Sequence, residues 1–320
     1  MPVAEPDIVG RLQRREPSGF LLASVRGVGQ VDLQPLLWTG VLILAALWSA
    51  GWRIGLFATL GTLISTATAY VLRVDRSNIA LGLQGYCGCL TGIALVTYLG
   101  HHPATYVLVV VGAIVCTLLT ATLTTFLSPY GLTALTAPFC LVSGVMVLGA
   151  PSFGRIWHGA PKAVSDPTSG DTGISWSDLW HAFFTNVSQI FLVDAWYVGL
   201  IMLVGLALAG VRVFLYAAAG SVMGIVAAWA LGAPTAQIAQ GIYGYNAVLV
   251  AIALGAVFLT GTVANGVYAL FGAAATTGLT ASLTSLFKPF GGHTFTWPFI
   301  LTTWALMAAV PLLPRLRRSA

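Results

Sequence analysis

Long apolar runs separated by short polar turns follow one another along the chain in two sets of five. The first set lies near 36–51, 54–72, 87–99, 104–127 and 133–150, and the second near 196–210, 212–231, 246–260, 265–286 and 297–313. These runs are too long for the alternating strands of a barrel, so the pattern predicts helices. Several are shorter than the roughly 20 residues of a full membrane span, which is typical of half-helices. The stretches 19–34 and 181–194, ahead of each set, are the predicted re-entrant segments.

The second set repeats the first. Residues 82–95 (GLQGYCGCLTGIAL) and 241–254 (GIYGYNAVLVAIAL) are identical at seven of fourteen positions, at an offset of 241 − 82 = 159. Gln30, Arg53 and Gly61 match Gln189, Arg212 and Gly220 at that offset, and Thr136-Ala-Pro138-Phe139 matches Thr296-Trp-Pro298-Phe299 one residue later. Because five spans per copy is an odd number, the second copy must enter the membrane from the opposite side. The pattern therefore predicts ten transmembrane helices in two inverted five-helix repeats around a central pore.

The composition is that of an integral membrane protein. Hydrophobic residues make up 58% of the chain and charged residues only 7%, whereas a soluble domain carries about 25% charged residues. The first apolar run starts near Leu36, too late for the core of a signal peptide. Basic residues concentrate at both ends, so the net charge of +5 reports membrane topology rather than nucleic-acid binding.

These patterns predict the order of segments along the chain. We expect a cytoplasmic N-terminal tail (1–18), a first repeat (19–150), an external linker (151–180), a second, inverted repeat (181–313) and a basic cytoplasmic tail (314–320). Ten spans place both Arg-rich termini on the cytoplasmic side. Within the linker, Ser175-Trp-Ser-Asp178 before an apolar stretch predicts the start of a helix.

Two pairs of polar residues at equivalent positions are candidates for a pathway. Gln30 and Gln189 could bind a neutral polar solute, because an amide both donates and accepts hydrogen bonds; the alternative is a bond between helices. Thr136 and Thr296 each stand two residues before a proline, which disrupts a helix interior and frees upstream carbonyls. A proline-kinked helix is the alternative for the threonines. Symmetric placement favours a pathway for both pairs.

A third pair consists of Tyr86 with Leu90 and Tyr245 with Leu249. Residues four apart share one face of a helix, and ordinary core packing is the alternative interpretation. Two flat apolar walls would admit a thin planar molecule and exclude a hydrated ion, whose water shell is wide and costly to remove.

Other residues with reactive or charged side chains are weaker candidates for a functional site. Asp32 and Asp194 are not equivalent in the repeat, and we expect both near the membrane surface. The four cysteines lie in apolar segments, and Cys87-x-Cys89 has no nearby histidine or carboxylate. Packing is therefore predicted for Cys87 and Cys89, with no metal site and no cofactor.

The motifs together resemble the urea transporter family. The resemblance rests on RGVGQV (26–31), the two Gly-Tyr blocks, ISWSDL (174–179) and the two T-x-P-F motifs, and it extends from about residue 22 to 313. It implies a homotrimer in which each protomer has its own channel-like pore, without cofactor or energy coupling. The pore residues that it implies are Gln30, Leu33, Tyr86, Leu90 and Thr136 in the first half and Gln189, Leu192, Tyr245, Leu249 and Thr296 in the second.

The first half departs from the family pattern. The family commonly has phenylalanine where this chain has Leu33, asparagine where it has Cys87, and Asn-Asn-Pro where it reads Gln34-Pro35. Asp32 is also unusual beside the first glutamine. These differences concern selectivity more than fold.

The sequence thus predicts passive, selective permeation of urea across the inner membrane of a bacterium. Urea and the lipid bilayer are the expected partners, and nucleic acid is not. A channel of the same architecture for ammonia or a short amide stays open, and so does an ion-coupled transporter that uses Asp32 or Asp194. An enzyme is not expected, since the apolar spans contain no paired carboxylates, metal set or nucleophile with a base.

Overall fold

A computed structural model describes residues 16–159 and 172–319, with side chains from residue 19 onward. The predicted N-terminal tail lies largely outside these ranges, as do residues 160–171 of the predicted linker. The described chain divides into two compact units. The N-terminal unit comprises residues 16–129 and 133–159, and the C-terminal unit comprises residues 172–319 with 130–132.

Each unit contains seven α-helices within the described residues. Those of the N-terminal unit are α1 (Glu16–Gly29), α2 (Leu37–Ala50), α3 (Trp52–Val71), α4 (Arg76–Ala80), α5 (Tyr86–Leu99), α6 (Pro103–Leu127) and α7 (Ala137–Gly149). Those of the C-terminal unit are α8 (Trp176–Ser188), α9 (Trp196–Ala209), α10 (Val211–Ala230), α11 (Thr235–Ala239), α12 (Tyr245–Ile252), α13 (Val263–Phe287) and α14 (Trp297–Ala309). The described residues form helices and no strand beyond an isolated bridge, which confirms the all-α prediction. A capping box of Ser175 and Asp178 begins α8, as predicted.

The helices of the two units correspond one to one along the sequence. The starts of α5 and α12 differ by 245 − 86 = 159, and those of α6 and α13 differ by 263 − 103 = 160. The additional residue lies in the connection 259–262, which is one residue longer than its counterpart 100–102. Just before it, the chain widens into a π-helix over Ala253–Phe258, whereas α5 stays α-helical to Leu99. The change of register in the sequence repeat arises at this point.

The core of each unit is built around one enclosed helix. All eight residues of α12 are buried, and so are nearly all residues of α5. Glycines let neighbouring backbones approach them closely. A Cβ atom on Gly61 of α3 would lie 2.0 Å from the carbonyl oxygen of Gly88 in α5, and one on Gly92 of α5 would lie 2.1 Å from that of Phe57. The short apolar helix therefore packs backbone to backbone against its neighbour.

Helix lengths divide the described elements into three groups. Four helical segments, Trp52–Val71, Pro103–Tyr130, Val211–Ala230 and Val263–Phe290, are long and apolar enough to cross a membrane. The pairs α1–α2 and α8–α9 are bent by 79° and 78°, and counting each pair as one span gives six. The remaining apolar helices, α5, α7, α12 and α14, are shorter. Both predicted re-entrant segments lie in the first arms of the bent pairs; ten spans and an inverted relation stay predictions.

Each bent pair depends on a glycine where its two arms cross. Gly40 of α2 and Gly199 of α9 are equivalent, since 199 − 40 = 159. A Cβ atom at Gly40 would lie 2.1 Å from the Val25 carbonyl oxygen, and one at Gly199 would lie 1.9 Å from that of Phe184. Only a residue without Cβ allows this approach, so the fold requires glycine at both positions.

Gly40→Ala and Gly199→Ala are each expected to lower the free energy of unfolding by about 1–3 kcal/mol, because overpacking forces the two arms apart. Thermal unfolding of the purified protein in detergent measures the effect. Gly278→Ala in α13 is the matched control, since its Cβ atom would meet no atom within 4 Å. Three variants of equal stability would contradict the glycine crossings.

Candidate functional site

A break in the helical backbone lies between α6 and α7. Leu135 has φ +48°, a value that residues other than glycine seldom adopt. Thr136 follows as the N-cap of α7, and Pro138 lies in the first turn of that helix. The Tyr86 hydroxyl of α5 donates to the Leu135 carbonyl at 2.7 Å. We call residues 133–136 the N-terminal threonine break.

The C-terminal unit contains the equivalent break. Phe295 has φ +45°, Thr296 is the N-cap of α14, and Pro298 lies in its first turn. The Tyr245 hydroxyl of α12 donates to the Phe295 carbonyl. We call residues 293–296 the C-terminal threonine break. In both units a tyrosine from the enclosed helix holds the carbonyl that precedes the threonine.

The predicted role of the prolines is wrong in one respect. Pro138 and Pro298 begin helices rather than interrupt them, because a first-turn residue needs no N–H donor and the fixed φ of proline suits that position. The carbonyls of Leu135 and Phe295 do leave the helical pattern, as predicted, but tyrosine hydroxyls occupy them.

The two glutamines begin a second pair of equivalent turns. Gln30–Asp32 and Gln189–Phe191 are short 3-10 helices that end in a left-handed leucine, Leu33 with φ +62° and Leu192 with φ +59°. These turns join the two arms of the bent pairs.

The side chains of the two glutamines differ. Gln30 is 8% exposed, and its Nε2 donates to the Leu81 carbonyl at 2.8 Å. Gln189 is half-buried, and its amide has no hydrogen bond to another described residue. Gln30 therefore forms the kind of bond that the structural alternative expects, and its place in a pathway stays a prediction, as does that of Gln189.

The remaining predicted residues differ in how much surface they present. Leu33 and Leu192 are half-buried, Tyr86 and Tyr245 are each 8% exposed, and Thr136 and Thr296 are each 2% exposed. The two members of each equivalent pair therefore have similar exposure.

Leu90 and Leu249 have no exposed surface. They lie one turn after the tyrosines in α5 and α12. This burial fits the core-packing alternative, and the role of the two leucines as walls of a slot stays a prediction.

Asp32 and Asp194 differ in burial, because Asp194 is exposed, and their expected position near the membrane surface stays a prediction. Asp32 has no exposed surface, and neither of its carboxyl oxygens has a hydrogen-bond partner within the described residues. Its place in the C-terminal unit is taken by Phe191, since 32 + 159 = 191. Nothing in the sequence indicated that Asp32 is buried, even though the equivalent residue in the repeat is apolar.

Sequence reasoning missed the residues that position the breaks. Leu135 and Phe295 carry the unusual backbone angles, but leucine and phenylalanine have no preference for positive φ, so no local signal marked them. Asn246 contributes hydrogen bonds to the C-terminal break. The sequence marked Asn246 only as the asparagine that the first half replaces with Cys87.

Buried apolar helices with matched backbone breaks in two like units are features of a polytopic membrane transport protein. A sequence model of the family Urea transporter matches residues 21–311. The chain belongs to the urea transporter family and is a multi-pass membrane protein.

Several curated proteins are similar to this chain over most of its length. Urea transporter 1 of Ovis aries is 32% identical over 287 residues, covering 87% of this chain and 74% of that protein. The Capra hircus protein of that name is 31% identical with the same coverage. The Mus musculus protein is 29% identical over 302 residues, covering 92% of this chain and 78% of its own.

Replacing each glutamine separates a structural role from a solute-facing one. Gln30→Leu removes the bond to the Leu81 carbonyl and is expected to lower the free energy of unfolding by about 0.5–1.5 kcal/mol. Gln189→Leu breaks no described hydrogen bond and should stay within about 0.5 kcal/mol of the wild type. Thermal unfolding in detergent measures both. The opposite order would show that Gln189 has the structural role.

Proposed function

We propose that this protein is a passive channel that conducts urea through a pathway with two equivalent stretches, one built on each unit. Each stretch contains a 3-10 turn with its glutamine and left-handed leucine, and a threonine break. The duplicated threonine break carries the proposal, because it places a hydroxyl at the end of a short apolar helix twice in one chain.

The chemistry of urea fits such a pathway. Urea is planar and neutral, with four N–H donors and one carbonyl oxygen. Threonine hydroxyls both accept and donate hydrogen bonds, so they replace water as the solute is dehydrated. Thr136 and Thr296 are each 2% exposed, which supports a tight constriction rather than a wide aqueous pore. Several weak contacts in series let the solute leave again.

Ions are excluded because the lining offers them too little in exchange for their water. The proposed lining residues carry no charge. They are Gln30, Leu33, Tyr86, Leu90, Thr136, Gln189, Leu192, Tyr245, Leu249 and Thr296. An ion that lost its water there would gain too little in return, since an uncompensated charge in an apolar environment costs far more than a neutral solute.

The proposed setting follows from the repeat and from the family resemblance. We infer ten spans in two inverted repeats, both termini in the cytoplasm, and a homotrimer in the inner membrane of a bacterium. Residues 19–150 and 181–313 are the proposed repeats.

An ion-coupled transporter is the second candidate, and one observation favours it. Asp32 is a completely buried carboxyl group without a described hydrogen-bond partner. An ionisable group at membrane depth is a candidate for coupling to protons or cations. Asp194 offers no comparable support, because it is exposed.

Replacing the two threonines tests the pathway. The double variant Thr136→Val and Thr296→Val is expected to lower urea permeability about fivefold to tenfold. The lost hydrogen bond raises the barrier at each threonine by about 1 kcal/mol, and two separate barriers do not add. Stopped-flow shrinkage of proteoliposomes in urea, acetamide and methylammonium gradients measures this.

Thr122→Val is the control for the threonine variants. Among the described residues, this exposed threonine bonds with its side chain only to the Leu118 carbonyl of its own helix, at 3.1 Å. Unchanged urea permeability in a folded double variant would contradict the pathway. A wild type that conducts acetamide or methylammonium as well as urea would overturn urea selectivity.

Asp32→Asn separates the two candidate functions. A passive channel should keep urea permeability within about twofold of the wild type, because Asp32 is buried and is not one of the proposed lining residues. The initial uptake of labelled urea is measured with and without a protonophore and a sodium ionophore. Uptake that falls in the variant and collapses with an ionophore would establish coupling and reject the passive channel.

A further inference from the structure

We propose that Asn246 and Cys87, at equivalent positions of the two units, set the solute selectivity of the channel by holding its two threonine breaks with unequal strength. The inference rests on the proposed function and adds a determinant of selectivity to it. Asn246 and Cys87 act as positioning residues, since each acts through a neighbouring break.

Asn246 fixes the C-terminal threonine break from three directions. Its Nδ2 donates to the Phe295 carbonyl at 3.5 Å and to the Thr280 hydroxyl at 3.3 Å. Its Oδ1 accepts the backbone N–H of Phe299 at 3.2 Å, in the first turn of α14. Asn246 has no exposed surface, so these bonds do not compete with water. The amide therefore ties α12, α13 and both sides of Thr296 together.

A second bond strengthens the same break. The hydroxyls of Thr284 in α13 and Thr294 in the break lie 2.7 Å apart. The N-terminal unit keeps the first partner as Thr124 and has Ala134 in place of the second, since 294 − 134 = 160. Alanine has no hydroxyl, so Ala134 cannot form the equivalent of the bond that Thr294 makes.

Cys87 replaces the amide in the N-terminal break with a thiol. Its Sγ lies 3.8 Å from the Leu135 carbonyl oxygen. A thiol is a weak donor and a weak acceptor. The Tyr86 hydroxyl bonds the same carbonyl at 2.7 Å.

The geometry points to a rigid C-terminal constriction and a more yielding N-terminal one. The Phe295 carbonyl is bonded by an amide and a tyrosine hydroxyl, and the Leu135 carbonyl by a thiol and a tyrosine hydroxyl. Because a thiol is the weaker donor, the N-terminal break opens at lower cost. Solutes one methyl group larger than urea should therefore be rejected chiefly at Thr296. The N-terminal unit already contains the partners that an amide needs, because Thr120, Leu135 and Phe139 stand where Thr280, Phe295 and Phe299 do.

Reciprocal substitution tests the inference. Permeabilities to urea and methylurea are measured by stopped-flow shrinkage of proteoliposomes containing the full chain. Asn246→Cys should raise the ratio of methylurea to urea permeability roughly threefold to tenfold, the factor expected for about one lost hydrogen bond. Cys87→Asn should lower the ratio, because the second constriction also becomes rigid.

A graded series distinguishes positioning from packing. Asn246→Asp keeps an acceptor for the Phe299 N–H and should shift the ratio less than Asn246→Leu, which keeps neither donor nor acceptor. Amide hydrogen exchange reports on the break without any flux, and peptides spanning 295–299 should exchange faster in Asn246→Cys. Cys87→Asn and Asn246→Asp provide the test if Asn246→Leu does not fold.

The outcomes separate this inference from the proposed function. A wild type without urea permeability would reject the channel itself. Wild-type urea permeability with an unchanged ratio in Asn246→Cys and Cys87→Asn would overturn the selectivity role, even if hydrogen exchange increased. A ratio that moves in opposite directions in the two variants supports it.

Discussion

Backbone groups that leave a helix inside an apolar protein need a partner, and this requirement governs the structure. A carbonyl without a partner costs several kcal/mol in an environment without water. Leu135 and Phe295 both turn their carbonyls out of the helical pattern, and the hydroxyls of Tyr86 and Tyr245 satisfy them. Each tyrosine is the first residue of the enclosed helix of its unit, so the core and the break depend on one another.

The helices could be predicted closely from the sequence, and the site only in part. Runs such as 54–72 and 104–127 became α3 and α6, because consecutive apolar residues leave the backbone no other way to pair. The left-handed angle of Leu135 was beyond prediction, since the Tyr86 hydroxyl that bonds its carbonyl lies 49 residues away in the sequence. Gln30 bonds to the backbone carbonyl of Leu81. Because every residue has such a carbonyl, the amino-acid sequence does not indicate which one a side chain will contact. Asp32 shows the same limit, because its burial depends on neighbours rather than on its own position.

At one pair of equivalent positions, different side chains donate a hydrogen bond to the equivalent backbone carbonyl. The carbonyl of Ala80 is held by the Arg26 guanidinium at 3.0 Å, and the matching carbonyl of Ala239 by the Thr185 hydroxyl at 2.6 Å. The bond is retained while the donor changes. What the scaffold fixes is therefore the carbonyl that needs a donor, and the residue that supplies the donor can vary.

The π-helical turn over Ala253–Phe258 shows where a duplicated scaffold can change its length. The additional residue of the C-terminal copy is absorbed between the enclosed helix and α13, and every landmark after it resumes at a constant spacing. An insertion at that place leaves both threonines in phase with their tyrosines. Evolution can thus lengthen one copy at the end of its enclosed helix, whereas an insertion between Tyr245 and Ile252 would rotate the tyrosine away from the carbonyl that it holds.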